Sequence, residues 1–139
     1  MMFNKRQPVN GFSLIELLVA IAIVGIIATI AMPTYTSFVS KSNRTEGQRE
    51  LLKMANLQEQ YFADNRKYTP NLSVLGFSSN AVVTESGYYQ ISATTTNNHT
   101  QFTLTAQALN AQAVNDSECK QLTVTETGKK SATSENCWD

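Results

Sequence analysis

One carboxylate lies inside an otherwise apolar segment near the start of the chain. Residues 12–32 read FSLIELLVAIAIVGIIATIAM, and Glu16 is the only charged residue among them. A helix of this length rises about 30 Å, which is the thickness of a bilayer's hydrocarbon core. A carboxylate in a membrane segment costs about 2.5 to 3.5 kcal/mol to insert. The sequence therefore predicts that Glu16 has a cationic partner at the same depth.

The next residues that could do chemistry are Cys119 and Cys137, the only cysteines in the chain. They form no CxxC motif, and His99 is the only histidine, so a disulfide is favoured over a metal site. A disulfide indicates an oxidising compartment. Closing the loop between Cys119 and Cys137 would restrict the unfolded chain, which stabilises a small domain by about 3 kcal/mol in the chain-entropy model.

Catalytic chemistry is not expected. His99 lies in a Thr- and Asn-rich stretch without a neighbouring acid or nucleophile, which argues against a triad or a zinc site. The sequence contains neither a GxxxxGK[ST] nor a GxGxxG phosphate-binding motif. We therefore predict no enzyme activity, no cofactor and no metal, and any ATP-driven step would need a separate motor.

The residues before the apolar segment predict its orientation. Lys5 and Arg6 favour the cytoplasmic side, so the rest of the chain is expected outside the inner membrane. An ordinary secretory signal cut after Ala20-Ile21-Ala22 is the alternative. That cut would leave apolar residues 23–32 as an exposed tail and the intramembrane carboxylate unexplained.

Residues 11–18, GFSLIELL, resemble the prepilin peptidase motif of type IV pilins and secretion pseudopilins. The resemblance implies cleavage between Gly11 and Phe12, N-methylation of Phe12, and pairing of Glu16 with the terminal amine of a neighbouring subunit. Phe12 precedes Glu16 by about one helical turn, so its amine can reach the carboxylate of an adjacent, axially shifted helix. A Glu16 that snorkels or stays neutral within its own helix is the alternative.

Gly25 and Pro33 interrupt the apolar helix. Proline removes a backbone donor and crowds the carbonyl of residue i−4, which predicts a kink near the outer membrane edge. The resemblance implies that Gly25 and Pro33 bracket a stretch that unwinds on assembly. Both residue types are also common in transmembrane helices generally.

Apolar residues recur at intervals of three and four between Leu51 and Phe62, which predicts that the helix continues as an amphipathic half. The polar residues around Arg44 and Glu46 are interpreted as its solvated face. We predict one helix from about Phe12 to Ala63. The predicted parts of the chain are a leader at 1–11, a transmembrane and assembly helix at 12–33, an amphipathic helix half at 34–64 and a globular head at 65–139.

The last third of the chain has the alternation of half-buried strands. Residues 88–95 and 101–108 alternate, a third strand holds Leu122 and Val124, and a short fourth strand is expected at 130–133. The predicted fold class is α+β, with a long N-terminal helix, transmembrane in its first half, packed on a small antiparallel sheet. The C-terminal loop is closed by the disulfide.

The stretch from Cys119 to Trp138 resembles the C-terminal region of PilE-like minor pilins, some of which are DNA-uptake receptors. Trp138 is expected over the disulfide or the sheet, or alternatively in a subunit contact. The resemblance implies a minor pilin that acts in adhesion, twitching motility or DNA uptake. Its implied partners are other pilin subunits, the inner membrane, prepilin peptidase and the pilus assembly machinery, and its implied location is first the inner membrane and then an extracellular pilus.

Three rival functions are weighed against a pilus subunit. DNA capture would use Lys120, Lys129 and Lys130, but residues 116–139 carry three lysines against five carboxylates, and no aromatic platform is obvious among the lysines. The whole chain is also balanced at 11 basic and 11 acidic residues, so DNA is the less favoured partner.

A type II secretion pseudopilin, a class that often binds calcium, is the second rival, although Asp116 and Glu118 are too few ligands for such a site. A membrane-anchored enzyme is weaker still.

Overall fold

The computed structural model describes residues 11–138. Lys5, Arg6 and the rest of the predicted leader before Gly11 lie outside the described residues. A first helix, α1, runs over Leu14–Asn65, close to the predicted bounds, and Pro33 lies within it. The described residues form two units, one that reaches Tyr35 and one that begins at Thr36.

The first unit is an apolar helix with no internal core. Every described residue from Gly11 to Tyr35 is exposed, and the helix is long and apolar enough to cross a membrane, with a mean hydropathy of 2.7 in its best window. The hydroxyl of Thr29 donates to the carbonyl of Ile26 at 2.7 Å, which satisfies that polar group within the helix. Such a surface needs lipid or other subunits to cover it.

The second unit begins at Thr36, so it includes the later part of α1 as well as the head predicted at 65–139, and we call this whole unit the head. It contains an antiparallel sheet with the order β1-β2-β3-β4-β5. Its strands are β1 Ala81–Val83, β2 Tyr89–Thr96, β3 Gln101–Ala108, β4 Gln121–Thr125 and β5 Lys130–Ala132. A short helix, α2, covers Asn110–Asn115, and 3-10 turns cover Leu72–Leu75, Ser117–Cys119 and Glu135–Trp138. The predicted strands are confirmed, and β1 and α2 are additions to the prediction.

The core lies between the second half of α1 and one face of the sheet. Leu51 and Met54 of the helix are fully buried. The sheet contributes the inward residues of β2, β3 and β4, which are Tyr89, Ile91, Phe102, Leu104, Ala106, Leu122 and Val124. The helix backbone lies close to the sheet at Gly47, where an added Cβ would lie 3.0 Å from the ring of Tyr89.

Candidate functional site

Glu16 lies in the first turn of α1 and is exposed. The ion pairs among residues 11–138 join Arg44 to Asp116 and Lys53 to Glu50, so the described part of the chain supplies no cation to Glu16. Phe12, four residues before Glu16, is 77% exposed. Glu16 and Phe12 are thus both exposed near the start of α1.

A buried ion pair joins α1 to the segment after α2. Asp116 is 8% exposed, and its two carboxylate oxygens accept from Nη2 and Nε of Arg44 at 2.7 and 2.9 Å. This bidentate geometry is the strong form of the pair. The prediction that Arg44 belongs to a solvated face was wrong. Glu46 departs from the same prediction, because its carboxylate accepts from the backbone N–H and the hydroxyl of Ser86 in the β1–β2 loop.

Gln112 of α2 connects this ion pair to the core. Its Nε2 donates to the carbonyl of Ser40, to the hydroxyl of Tyr89 and to Oδ2 of Asp116 at 2.9, 3.2 and 3.1 Å. Its Oε1 accepts from Nδ2 of Asn43 at 3.1 Å. Burial raises the pKa of Tyr89, so its phenol stays protonated and available for this network.

The predicted disulfide between Cys119 and Cys137 is present, with the two Cα atoms 5.5 Å apart. Gln48 of α1 donates from Nε2 to the carbonyl of Cys137 at 2.7 Å, and Arg44 donates from Nη1 to the carbonyl of Asn136 at 3.4 Å. Helix α1 therefore donates hydrogen bonds to backbone carbonyls at the C-terminal end of the closed loop. These contacts add to the Arg44–Asp116 ion pair.

The three candidate DNA-contacting lysines are all exposed but do not form one patch. Lys130 lies opposite Val124 in the β4–β5 pair, whereas Lys120 precedes β4 at the other end of that hairpin. Nζ of Lys130 lies 5.2 Å from the ring centre of Trp138, whose Nε1 donates to the carbonyl of Ser131 at 2.7 Å. The structure thus places an aromatic ring beside Lys130, which sequence reasoning missed because the contact depends on the position of β5.

Two protein-family models match successive parts of the chain. Residues 6–32 match the family model described as "Prokaryotic N-terminal methylation motif". Residues 33–123, well over half of the chain, match the one described as "Type IV minor pilin ComP, DNA uptake sequence receptor". The chain belongs to the type IV pilin family. The resemblance found in the sequence is thereby confirmed.

Several curated relatives are filament proteins. The pilin is 35% identical over 75 residues to "Type IV major pilin protein PilA" of Myxococcus xanthus, covering 54% of this chain and 33% of that protein. It is 38% identical over 66 residues to "Type IV wide pilus major component PilA4" of Thermus thermophilus, covering 48% of this chain and 50% of that protein. The matches thus span a third to a half of the relatives' lengths.

A solved structure supports the fold. "High-Resolution Structure of a Type IV Pilin from Shewanella oneidensis" aligns with a TM-score of 0.56 at 24% identity, over 72% of this chain and 98% of the other. The predicted fold class and localisation are confirmed: the apolar helix anchors the pilin in the membrane, and its later location is an extracellular pilus.

Proposed function

We propose that the chain is a minor pilin, and that Glu16 positions it in the pilus by pairing with the methylated amine of Phe12 in a neighbouring subunit. The observation that carries this proposal is the exposed Glu16 in an apolar helix, without a cationic partner among residues 11–138. A cation supplied by the next subunit would remove the cost of this charge in an apolar environment.

The proposal includes the processing steps that the motif implies. Prepilin peptidase cuts between Gly11 and Phe12, the pilus assembly machinery inserts the mature subunit, and the helix loosens between Gly25 and Pro33. Removing residues 1–11 takes away Lys5 and Arg6 and leaves nine basic and eleven acidic side chains. The mature subunit would therefore be slightly acidic.

The test is incorporation of the Glu16→Ala variant into sheared filaments. Loss of the charge pair should lower incorporation about tenfold or more, since a pair worth at least 1.4 kcal/mol changes an equilibrium by that factor. Glu85→Ala, at an exposed head glutamate, is the matched control. Normal incorporation of Glu16→Ala, or mass spectrometry that finds a mature chain starting elsewhere than Phe12, would overturn the proposal.

A separate experiment is needed to decide whether the subunit belongs to a pilus or to a type II secretion filament. We propose a pilus rather than a type II secretion filament, because the match over residues 33–123 is to a minor pilin model. Inactivating the gene should impair twitching, adhesion or transformation and leave protein secretion unchanged. Loss of secretion alone would favour the pseudopilin alternative.

DNA capture is the second candidate function. Two observations favour it more than the sequence did: the matched family model is that of a DNA uptake sequence receptor, and Trp138 lies beside Lys130 in the disulfide-closed loop. A cation next to an aromatic ring offers a phosphate contact and a surface for base stacking. Lys129 precedes Lys130 and is also exposed.

A gel shift with the detergent-solubilised pilin tests DNA capture. Lys129→Ala with Lys130→Ala should weaken binding and reduce the salt dependence by about one power of salt concentration for each phosphate that is no longer neutralised. Lys41→Ala, on the exposed surface of α1, is the matched control. Binding that is absent, or that is equally reduced by both sets, would argue against a DNA site in this loop.

A further inference from the structure

The short helix α2 buries a polar residue and exposes an apolar one. Gln112 is 1% exposed, because its amide belongs to the hydrogen-bond network that includes the carbonyl of Ser40 and the side chain of Asn43. Val114, two residues later, is 75% exposed. A helix on the surface of a soluble domain usually has the opposite arrangement. The buried amide therefore fixes α2 in an orientation that leaves an apolar side chain in contact with the surroundings.

Helix α2 lies at the end of the head where the chain arrives from the membrane anchor. Its Gln112 contacts Ser40 and Asn43, which follow the start of the head at Thr36 by four and seven residues. These contacts are about 6 to 11 Å along α1 from Thr36, whereas the helix continues for about 44 Å to Asn65. The exposed side chain of α2 is thus carried by the membrane-proximal end of the head.

Another apolar side chain is exposed at the same level of α1. Phe38 is 73% exposed and lies two residues before Ser40. Two residues correspond to about 200° around a helix axis, so Phe38 is on the side of α1 away from α2. A protein partner would cover a patch on one side of the head. Exposed apolar groups on two sides at one level suit a plane that surrounds the helix.

The interface between lipid and water is such a plane. Tyr35, the last residue of the first unit, is 69% exposed, and tyrosine is enriched at this interface. Even a fully extended chain keeps Phe38 within about 11 Å of Tyr35, and the headgroup layer is about 5 to 8 Å thick on each side of a bilayer. Lys41 is exposed and forms no ion pair within residues 11–138. Its aliphatic stem can lie beside apolar groups while its ammonium binds a lipid phosphate.

We propose that Phe38, Lys41 and Val114 form a docking edge that lies on the phospholipid headgroups of the inner membrane before the pilin enters a filament. The six residues of α2 carry no charge, and Asp116 directly after it is paired with Arg44, so this segment places no unpaired carboxylate against the phosphates. The inference uses the membrane anchor of the pilin and goes beyond its proposed role as a minor pilin. Docking would fix which side of the head faces the bilayer before assembly.

The test is the depth of a tryptophan at residue 114 in the full-length pilin, reconstituted alone into phospholipid nanodiscs. Trp138→Phe removes the native tryptophan, so Val114→Trp then supplies the only one in the chain. We expect its emission to shift to the blue and to be quenched by lipids brominated near the headgroup. Val74→Trp in the same background is the matched control, because Val74 is also an exposed valine, at 53%, and lies in the 3-10 turn Leu72–Leu75 beyond the far end of α1.

Brominated lipids should leave the emission of the control unchanged. Quenching at residue 114 that is no stronger than at residue 74 would overturn the proposal. A blue shift without quenching would also overturn it, because residue 114 would then be covered by protein instead of lipid.

Photocrosslinking gives a second measurement without any substitution. The unmodified pilin is reconstituted with a phospholipid that carries a photoreactive headgroup, and the attached peptides are identified by mass spectrometry. Peptides from residues 38–41 and from α2 should carry lipid, whereas those from residues 72–75 should not. Lipid attached only to the first unit would contradict the docking edge. Both measurements are made before assembly, so their outcome is independent of whether Glu16→Ala enters filaments.

Discussion

Glu16 in the first unit and Asp116 in the head are carboxylates with opposite surroundings. Asp116 is 8% exposed and receives two hydrogen bonds from Arg44 and a third from Gln112. Glu16 is exposed, and the described residues provide no cation for it. The head therefore balances its buried charge within the subunit, whereas the first unit depends on the proposed neighbour.

The apolar side chains show the same difference. Leu51 and Leu104 in the head are fully buried, whereas Phe12 and Ile30 in the first unit are 77% and 69% exposed. A head with its own core can fold before assembly. In the proposed function the helix of the first unit moves from lipid into contact with other subunits, and an apolar surface suits both environments.

The largest expected effect on stability comes from removing the charge that the head balances internally. Asp116→Ala leaves Arg44 buried without its partner and should lower the free energy of unfolding by about 3 kcal/mol. Denaturant unfolding of the detergent-solubilised pilin measures this change.

Two matched variants test whether the buried ion pair of the head matters more to stability than the exposed carboxylates do. Glu50→Ala breaks the more exposed pair with Lys53 and should cost less than about 1 kcal/mol. Glu16→Ala should leave unfolding of the head unchanged. If Asp116→Ala costs no more than these two variants, the head does not depend on its internal ion pair.

Much of the fold could be predicted because its signals are local. The apolar run around Glu16, the alternation in residues 101–108 and the two cysteines each indicate one structure with little context. The first strand, Ala81–Val83, has three residues and is too short for alternation to be recognised.

The internal contacts of the head could not be predicted in the same way. Arg44 and Asp116 are 72 positions apart, and no pattern in the sequence relates them. The ring of Trp138 reaches Lys130 only because β5 pairs with β4. Such contacts follow from the tertiary fold, so residue type alone made Arg44 look solvated and Lys130 look isolated.

A smaller effect on stability is expected when a glycine of α1 is replaced by alanine, at Gly47 in the head and at Gly25 in the first unit. At Gly47 an added Cβ lies 3.0 Å from the Tyr89 ring, and this overpacking should outweigh the gain in helix propensity and cost about 1 kcal/mol of head stability. At Gly25 no described atom outside the adjacent helix backbone lies within 4 Å of the added Cβ, so Gly25→Ala should leave head unfolding unchanged. The midpoints of denaturant unfolding measure both effects. Equal midpoints for Gly47→Ala and Gly25→Ala would show that helix α1 shifts at Gly47 to make room for the added Cβ.

The smallest effect concerns alkaline pH and should also be confined to the head. The pKa of Tyr68 is about 12 in the folded state, above the ordinary tyrosine value of about 10, because of burial and then the hydrogen bond and charge of Glu59. The unfolded chain loses this proton first, so the contribution of Tyr68 to stability is complete below about pH 10 and is lost as the pH rises toward 12.

Unfolding midpoints between about pH 9 and 11 should therefore fall more steeply for the unmodified pilin than for Tyr68→Phe. The raised pKa of Tyr89 acts in the same direction and remains in that variant, so part of the slope should persist. Tyr35→Phe, at a residue that is 69% exposed in the first unit, should keep the full slope. Parallel slopes for the unmodified pilin and Tyr68→Phe would mean that the pKa of Tyr68 is not raised in the folded head.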